Sequence, residues 1–178
     1  MTNRPLVLLS AIAAASLPAA AIADSELAFG GAGTTASADL NFEIVIPSFV
    51  YFQVGDPNAG TVDTVQFDLT GLSVGSGTDV PATAGAVPVV LRSNAANTEI
   101  VADISAGTPD DGGGNFIPFT EILPTAGGPI PVPAFGGAAI NFGGPMNLTD
   151  DWTYTYDNVG SYLPGTYTTT VTYTATTL

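Results

Sequence analysis

Along most of this chain, apolar side chains return at every second position, in short runs separated by clusters of Gly, Pro, Asn and Asp. That spacing is the period of a β-strand, whose successive side chains point to opposite faces, and not the 3.6-residue period of a helix. Leu40, Phe42, Ile44 and Ile46 alternate with Asn41, Glu43 and Val45. Val65, Phe67 and Leu69 alternate with Gln66 and Asp68 within residues 62–69, and Trp152, Tyr154 and Tyr156 alternate with Thr153 and Thr155. Residues 48–54, 87–92, 98–104, 138–142 and 166–177 are further strand candidates. So are residues 116–123, where Pro118 marks an edge or bulge. Residues 56–60, 71–85 and 93–97 read as turns and loops, and residues 125–133 are too rich in Gly and Pro for a central strand.

No run beyond the first residues keeps helical spacing for three turns. Many short strands with turn signals between them predict an all-β protein, an antiparallel immunoglobulin-like β-sandwich of about 7–9 strands. Its start has the form of a secretory signal: Arg4, an apolar stretch from Leu6 to Leu17, and Ala21-Ile22-Ala23 as the small-x-small cleavage pattern. The expected organisation is a cleaved signal over residues 1–23, a flexible arm over 24–38 and one sandwich domain over 39–178. No later stretch is long and apolar enough for a membrane helix, so no stable membrane insertion is expected.

Composition then narrows function. The chain has no His, no Cys and no Lys, and beyond the signal its one basic side chain is Arg92. Imidazole bases, thiolate nucleophiles, disulfides, soft-metal sites and Schiff bases are therefore unavailable. One arginine against sixteen acids leaves a side-chain balance of −15 after cleavage. With no basic patch to release counterions, nucleic acid is excluded as a partner.

Paired carboxylates are the catalytic route left open, at Asp110-Asp111 and Asp150-Asp151. Adjacent residues in a strand face opposite ways, and nothing splits their pKa values as acid/base division needs. The protein is accordingly read as not an enzyme, with no catalytic residues. No cofactor is expected. Calcium is the one ion its acids would suit, with Asp110, Asp111 and Asn115 as candidate oxygen ligands on a Gly-rich tip. Solvated turn caps are the commoner use of such residues. Asn147-Leu148-Thr149 matches the N-glycosylation pattern, one more often met by chance in a loop. The stripe Trp152, Tyr154 and Tyr156 would stack sugars if exposed; burial on one face of the core is the expected arrangement.

The closing run Pro164-Gly165-Thr166-Tyr167-Thr168-Thr169-Thr170-Val171-Thr172-Tyr173, with the signal segment and β-rich body, resembles the ends of bacterial secreted fimbrial-type subunits. These include the chaperone–usher and spore-coat-U-like groups. The resemblance implies an immunoglobulin-like fold lacking one strand, completed by the N-terminal arm of a neighbouring copy. The donated strand would be residues 25–35, carrying Leu27 and Phe29, or residues 40–46, carrying Leu40, Phe42, Ile44 and Ile46. It also implies a periplasmic chaperone and an outer-membrane pore as partners, with export through the periplasm to the cell surface. The expectation is a secreted structural subunit of a fibre or extracellular matrix, built by β-strand addition between copies. The alternative is a monomeric calcium- or carbohydrate-binding surface module.

Overall fold

A computed structural model describes residues 26–58 and 62–178. The signal segment, residues 1–23, lies outside the described residues. The chain divides into two compact units, Met1–Ile46 and Pro47–Leu178.

Among the described residues the second unit has eight strands: β1 (Val50–Val54), β2 (Val80–Pro81), β3 (Val87–Ser93), β4 (Asn97–Asp103), β5 (Ile122–Ala126), β6 (Ile140–Gly143), β7 (Met146–Tyr156) and β8 (Thr172–Thr177). Every strand pair is antiparallel. One sheet runs β1-β3-β7-β2 with β5 also on β7; the other runs β6-β4-β8. β7 organises the larger sheet because it is long enough to serve two sets of partners. Its first part pairs β3, from Met146 opposite Ser93 to Trp152 opposite Val87. Its last part pairs β5 across one edge, and β2 continues the β3 side at Val80 opposite Tyr156.

Alternation places the core. Val87, Val89 and Leu91 point inward from β3 and Trp152 and Tyr154 from β7, while Ile100 comes from β4 in the other sheet. Tyr173 and Ala175 of β8 pack against the same cluster. Burying such side chains supplies most of the stability of a β-domain, about 1.5–3 kcal/mol for each large aliphatic or aromatic one. Trp152, Tyr154 and Tyr156 are all buried, so the aromatic stripe is core.

The chain crosses between sheets at two neighbouring corners. After β3, Ser93 and Thr98 are buried and satisfy one another, the Thr98 hydroxyl donating to Ser93 Oγ at 2.9 Å. After β6, Gly144 turns with φ 74° and its N–H donates to the Ala96 carbonyl, tying this corner to the first. Only glycine takes that φ without strain.

Three expected strands and one expected loop of this unit differ in the structure. Residues 62–69 form no ladder over their described part, although Val65, Phe67 and Leu69 still turn inward in alternation. Their faces obey the sequence pattern, but among the described residues the backbone finds only scattered partners: Thr83, whose N–H and hydroxyl both donate to the Gln66 carbonyl, and Leu72, whose N–H donates to the Leu69 carbonyl. Residues 116–123 begin as irregular chain and a 3-10 turn, Phe119–Glu121, because Pro118 has no N–H to pair; the strand starts at Ile122 and runs on to Ala126. The last strand is confined to Thr172–Thr177, preceded by a single bridge between Asp110 and Thr168. Residues 71–85 are not wholly loop, since Val80 and Pro81 join β7.

In the first unit, residues 40–46 adopt no strand despite the regular recurrence of Leu40, Phe42, Ile44 and Ile46. A strand exists only with a neighbour to complete its hydrogen bonds, and among the described residues none is supplied. Closer to the start, the Thr34 N–H and hydroxyl both donate to the Gly31 carbonyl around Gly33, which has φ 98°.

Candidate functional site

The apolar residues expected to mediate assembly are exposed. Leu27 and Phe29 are 76% and 88% exposed, and Leu40, Phe42, Ile44 and Ile46 are 56%, 85%, 83% and 75% exposed. Isolated exposed aliphatics are ordinary, but four on one face of a seven-residue run make a contiguous apolar strip. In extended form all four would point the same way.

The second unit carries open sheet edges. Among the described residues β1 pairs only β3, and β8 pairs only β4. These two edge strands, one from each sheet, lie alongside each other without a ladder between them. On β1, Tyr51 donates to Gln53 Oε1 at 2.7 Å, and Arg92 of β3 sits 5.7 Å over the Tyr51 ring.

Beyond β1 and β8 the walls part around a groove of about 900 Å3. Residues 64–70 form one wall and residues 163–169 the other, with Ile117, Ile122 and Tyr156 among the lining. The first wall continues β1 in position as well as in sequence, because its Gln66 lies beside Thr83, just after β2. The second continues β8, through the Thr168–Asp110 bridge that extends the β4–β8 pairing. Both walls are therefore prolongations of open edges. Val65 and Phe67 make no backbone hydrogen bond among the described residues, and neither do the backbone groups of Tyr167.

Under this groove lies a buried polar knot. Glu121 is 6% exposed; one carboxylate oxygen accepts from the Tyr162 hydroxyl and the other, Oε2, meets no hydrogen-bond donor within normal bonding distance among the described residues. Burial first, and the Glu121 carboxylate second, push the Tyr162 phenol up to about 12 and raise Tyr156 as well. A sequence reading missed Glu121, since one Glu in a Pro/Phe-rich stretch carries no signal of burial. Asn158 escaped notice for the same reason. It is fully buried and holds residues 73–77: Oδ1 accepts from Gly75 N–H, while Nδ2 donates to the Ser73 carbonyl and Ser76 Oγ.

The calcium candidates sit together on one tip, where they bind their own loop. Asp110 accepts from Gly112 N–H, and Asp111 from Gly113 N–H, Asn115 N–H and the Asn115 side-chain amide. The Asn115 amide and then Gly113 hold the Asp111 carboxyl below its ordinary range. Asn115 thus presents donors to Asp111. Among the described residues no group of three or more His, Cys, Asp and Glu side chains is placed to hold a metal ion. Asp150 and Asp151 do point to opposite sides of β7: Asp150 turns inward onto Ile130 N–H and Asp151 is exposed. Asn147 lies within β7, opposite Arg92, instead of in a loop. No helix of the described residues is long and apolar enough to cross a membrane.

Comparison with protein-family models, curated proteins and solved structures gave no match to this chain.

Proposed function

We propose that this protein is a secreted structural subunit of a surface fibre, pilus- or fimbria-like, or of an extracellular matrix, assembling by β-strand addition between copies. The observation that carries this reading is the exposed strip Leu40, Phe42, Ile44 and Ile46, which has strand alternation but no strand partner among the described residues. Burying such a strip against an open edge satisfies both its backbone and its side chains at once. The two sheets, read as an immunoglobulin-like sandwich with two adjacent open edges, supply a framework on which this addition works. The missing chemistry of His, Cys and Lys agrees with a structural role, with no catalytic site and no cofactor. Export through the periplasm, aided by a chaperone and an outer-membrane pore, is part of the same reading.

Electron microscopy and sedimentation of the purified protein test it. Fibres or a concentration-dependent series of oligomers are expected, and Ile44→Asp abolishes them while the melting transition persists. A particle that stays single at every concentration would refute it. The second reading, a monomeric calcium-binding surface module, draws on the tip formed by Asp110, Asp111 and Asn115. Its carbohydrate-stacking version lacks the stripe it would use, because Trp152 is wholly buried.

A further inference from the structure

We infer that the groove between residues 64–70 and 163–169 is the acceptor, and that its occupant is the segment of residues 40–46 from a second copy of this chain. This rests on the strand-addition reading above and names the place where addition occurs.

The groove has what an incoming strand needs on three sides. Val65 and Phe67 offer unpaired backbone N–H and C=O groups on one wall. On the other, Thr168 spends its backbone groups on Asp110, so those of the adjacent Tyr167 turn to the opposite edge, and they are unpaired. Val74, Ile117, Ile122 and Leu163 give the lining apolar side chains, and Leu163 is 63% exposed. Each wall is seven residues long, as is the strip, and the second wall bends at Pro164 and Gly165.

Residues 40–46 suit it better than the earlier arm. They present four large apolar side chains on one face, with Asn41, Glu43 and Val45 on the other. The arm presents only Leu27 and Phe29 before Gly31 and Gly33, and the turn closed by Thr34 bends it there.

The donor must come from another copy because of where the strip is rooted. Asn94 receives the chain at the start of β1, its Nδ2 donating to the Pro47 carbonyl and its Oδ1 accepting from Phe49 N–H. That point lies at the Met146 end of β7, since Val50 faces Ser93 and Ser93 faces Met146. The groove begins at the level of Thr153, where Ala82 N–H reaches the Tyr154 carbonyl and Thr83 meets Gln66. Seven residues of β7 separate the two levels, about 23 Å. Ile46 is bonded directly to Pro47, so the strip cannot lie along the groove of its own domain. Root and groove at opposite poles make a heterologous contact, which propagates into an open chain of subunits instead of closing a dimer.

The test uses the cysteine-free protein with single cysteines introduced. Ile44→Cys and Leu163→Cys preparations are mixed and treated with a short bifunctional maleimide, which tolerates a residue of register slip. A cross-linked heterodimer is expected, and Leu27→Cys in place of Ile44→Cys gives none. In parallel, Leu163→Asp, at an exposed position, raises the half-assembly concentration by more than about tenfold, with Trp152 fluorescence reporting an unchanged fold. Assembly that survives both Leu163→Asp and Ile44→Asp overturns this assignment and leaves strand addition elsewhere standing. Cross-linking through Leu27→Cys alone, or within single copies of an Ile44→Cys/Leu163→Cys double variant, overturns it too. A protein that never assembles sinks both readings together.

Discussion

The indole of Trp152 donates its Nε1–H to the carbonyl oxygen of Ile130 at 2.7 Å, and both residues are fully buried. Two residues earlier on the same face of β7, Asp150 accepts the Ile130 N–H at 2.8 Å. Both backbone polar groups of one loop residue are thus satisfied by side chains of a strand. This is how a Gly- and Pro-rich loop can drop an isoleucine into the core without stranding its peptide groups.

Trp152→Phe is expected to cost about 2–4 kcal/mol, from the orphaned Ile130 carbonyl and the space left by the larger ring. Chemical denaturation followed by circular dichroism measures it, since the variant removes the protein's single tryptophan. A cost below about 0.5 kcal/mol would mean the loop rearranges freely.

Asn158→Ala removes one acceptor and two donors from a fully buried amide and strands the Ser73 carbonyl and Gly75 N–H. A loss of about 2–3 kcal/mol is expected. Limited proteolysis is expected to cut the residue 73–77 loop early in this variant and late in the native protein.

Alkaline pH isolates the tyrosines. With no Lys and no Cys, the six tyrosines are the side chains that titrate between neutrality and the guanidinium range. Tyr154 and Tyr173 meet hydroxyl to hydroxyl at 3.1 Å, and burial above all raises both, as it raises Tyr156. A folded-state value above the unfolded one means the native protein keeps protons that the unfolded chain has lost. Stability is then full below about pH 10 and falls as pH climbs above it, by up to about 1.4 kcal/mol per unit for each such tyrosine. Tyrosinate absorbance rising together with unfolding, instead of ahead of it, is the signature. Tyr173→Phe leaves the Tyr154 hydroxyl without its partner at neutral pH and makes the alkaline fall shallower.

Calcium is expected to leave the melting temperature unchanged against a chelator, because Asp110 and Asp111 already cap their own loop amides. A rise of several degrees with added calcium would instead show binding to the folded state.

Alternation made much of the fold legible. The inward positions of β3, β4 and β7 follow directly from it, as does the burial of Trp152, Tyr154 and Tyr156. It failed where a pattern of faces was taken for a ladder. Val65 and Phe67 keep their inward orientation without a strand, and residues 40–46 alternate while exposed. Side-chain alternation records which way residues point, whereas a ladder also needs a second backbone alongside. The acidic tip was readable as a Gly-rich turn, but the direction of its hydrogen bonds was not. The groove was invisible, since its two walls are nearly a hundred residues apart in the chain.

The order of residues alone determined that this chain is β, that it lacks the common catalytic side chains, and which aromatic residues share a face. Each is a local property, set by one residue and its near neighbours. Tertiary structure decided that Glu121 and Asn158 are buried, that Asp150 and Trp152 bracket Ile130, and that the open edges of two sheets part into a groove. Those outcomes depend on which distant backbones come to lie side by side, and a period of two is the same whatever partner the strand finds.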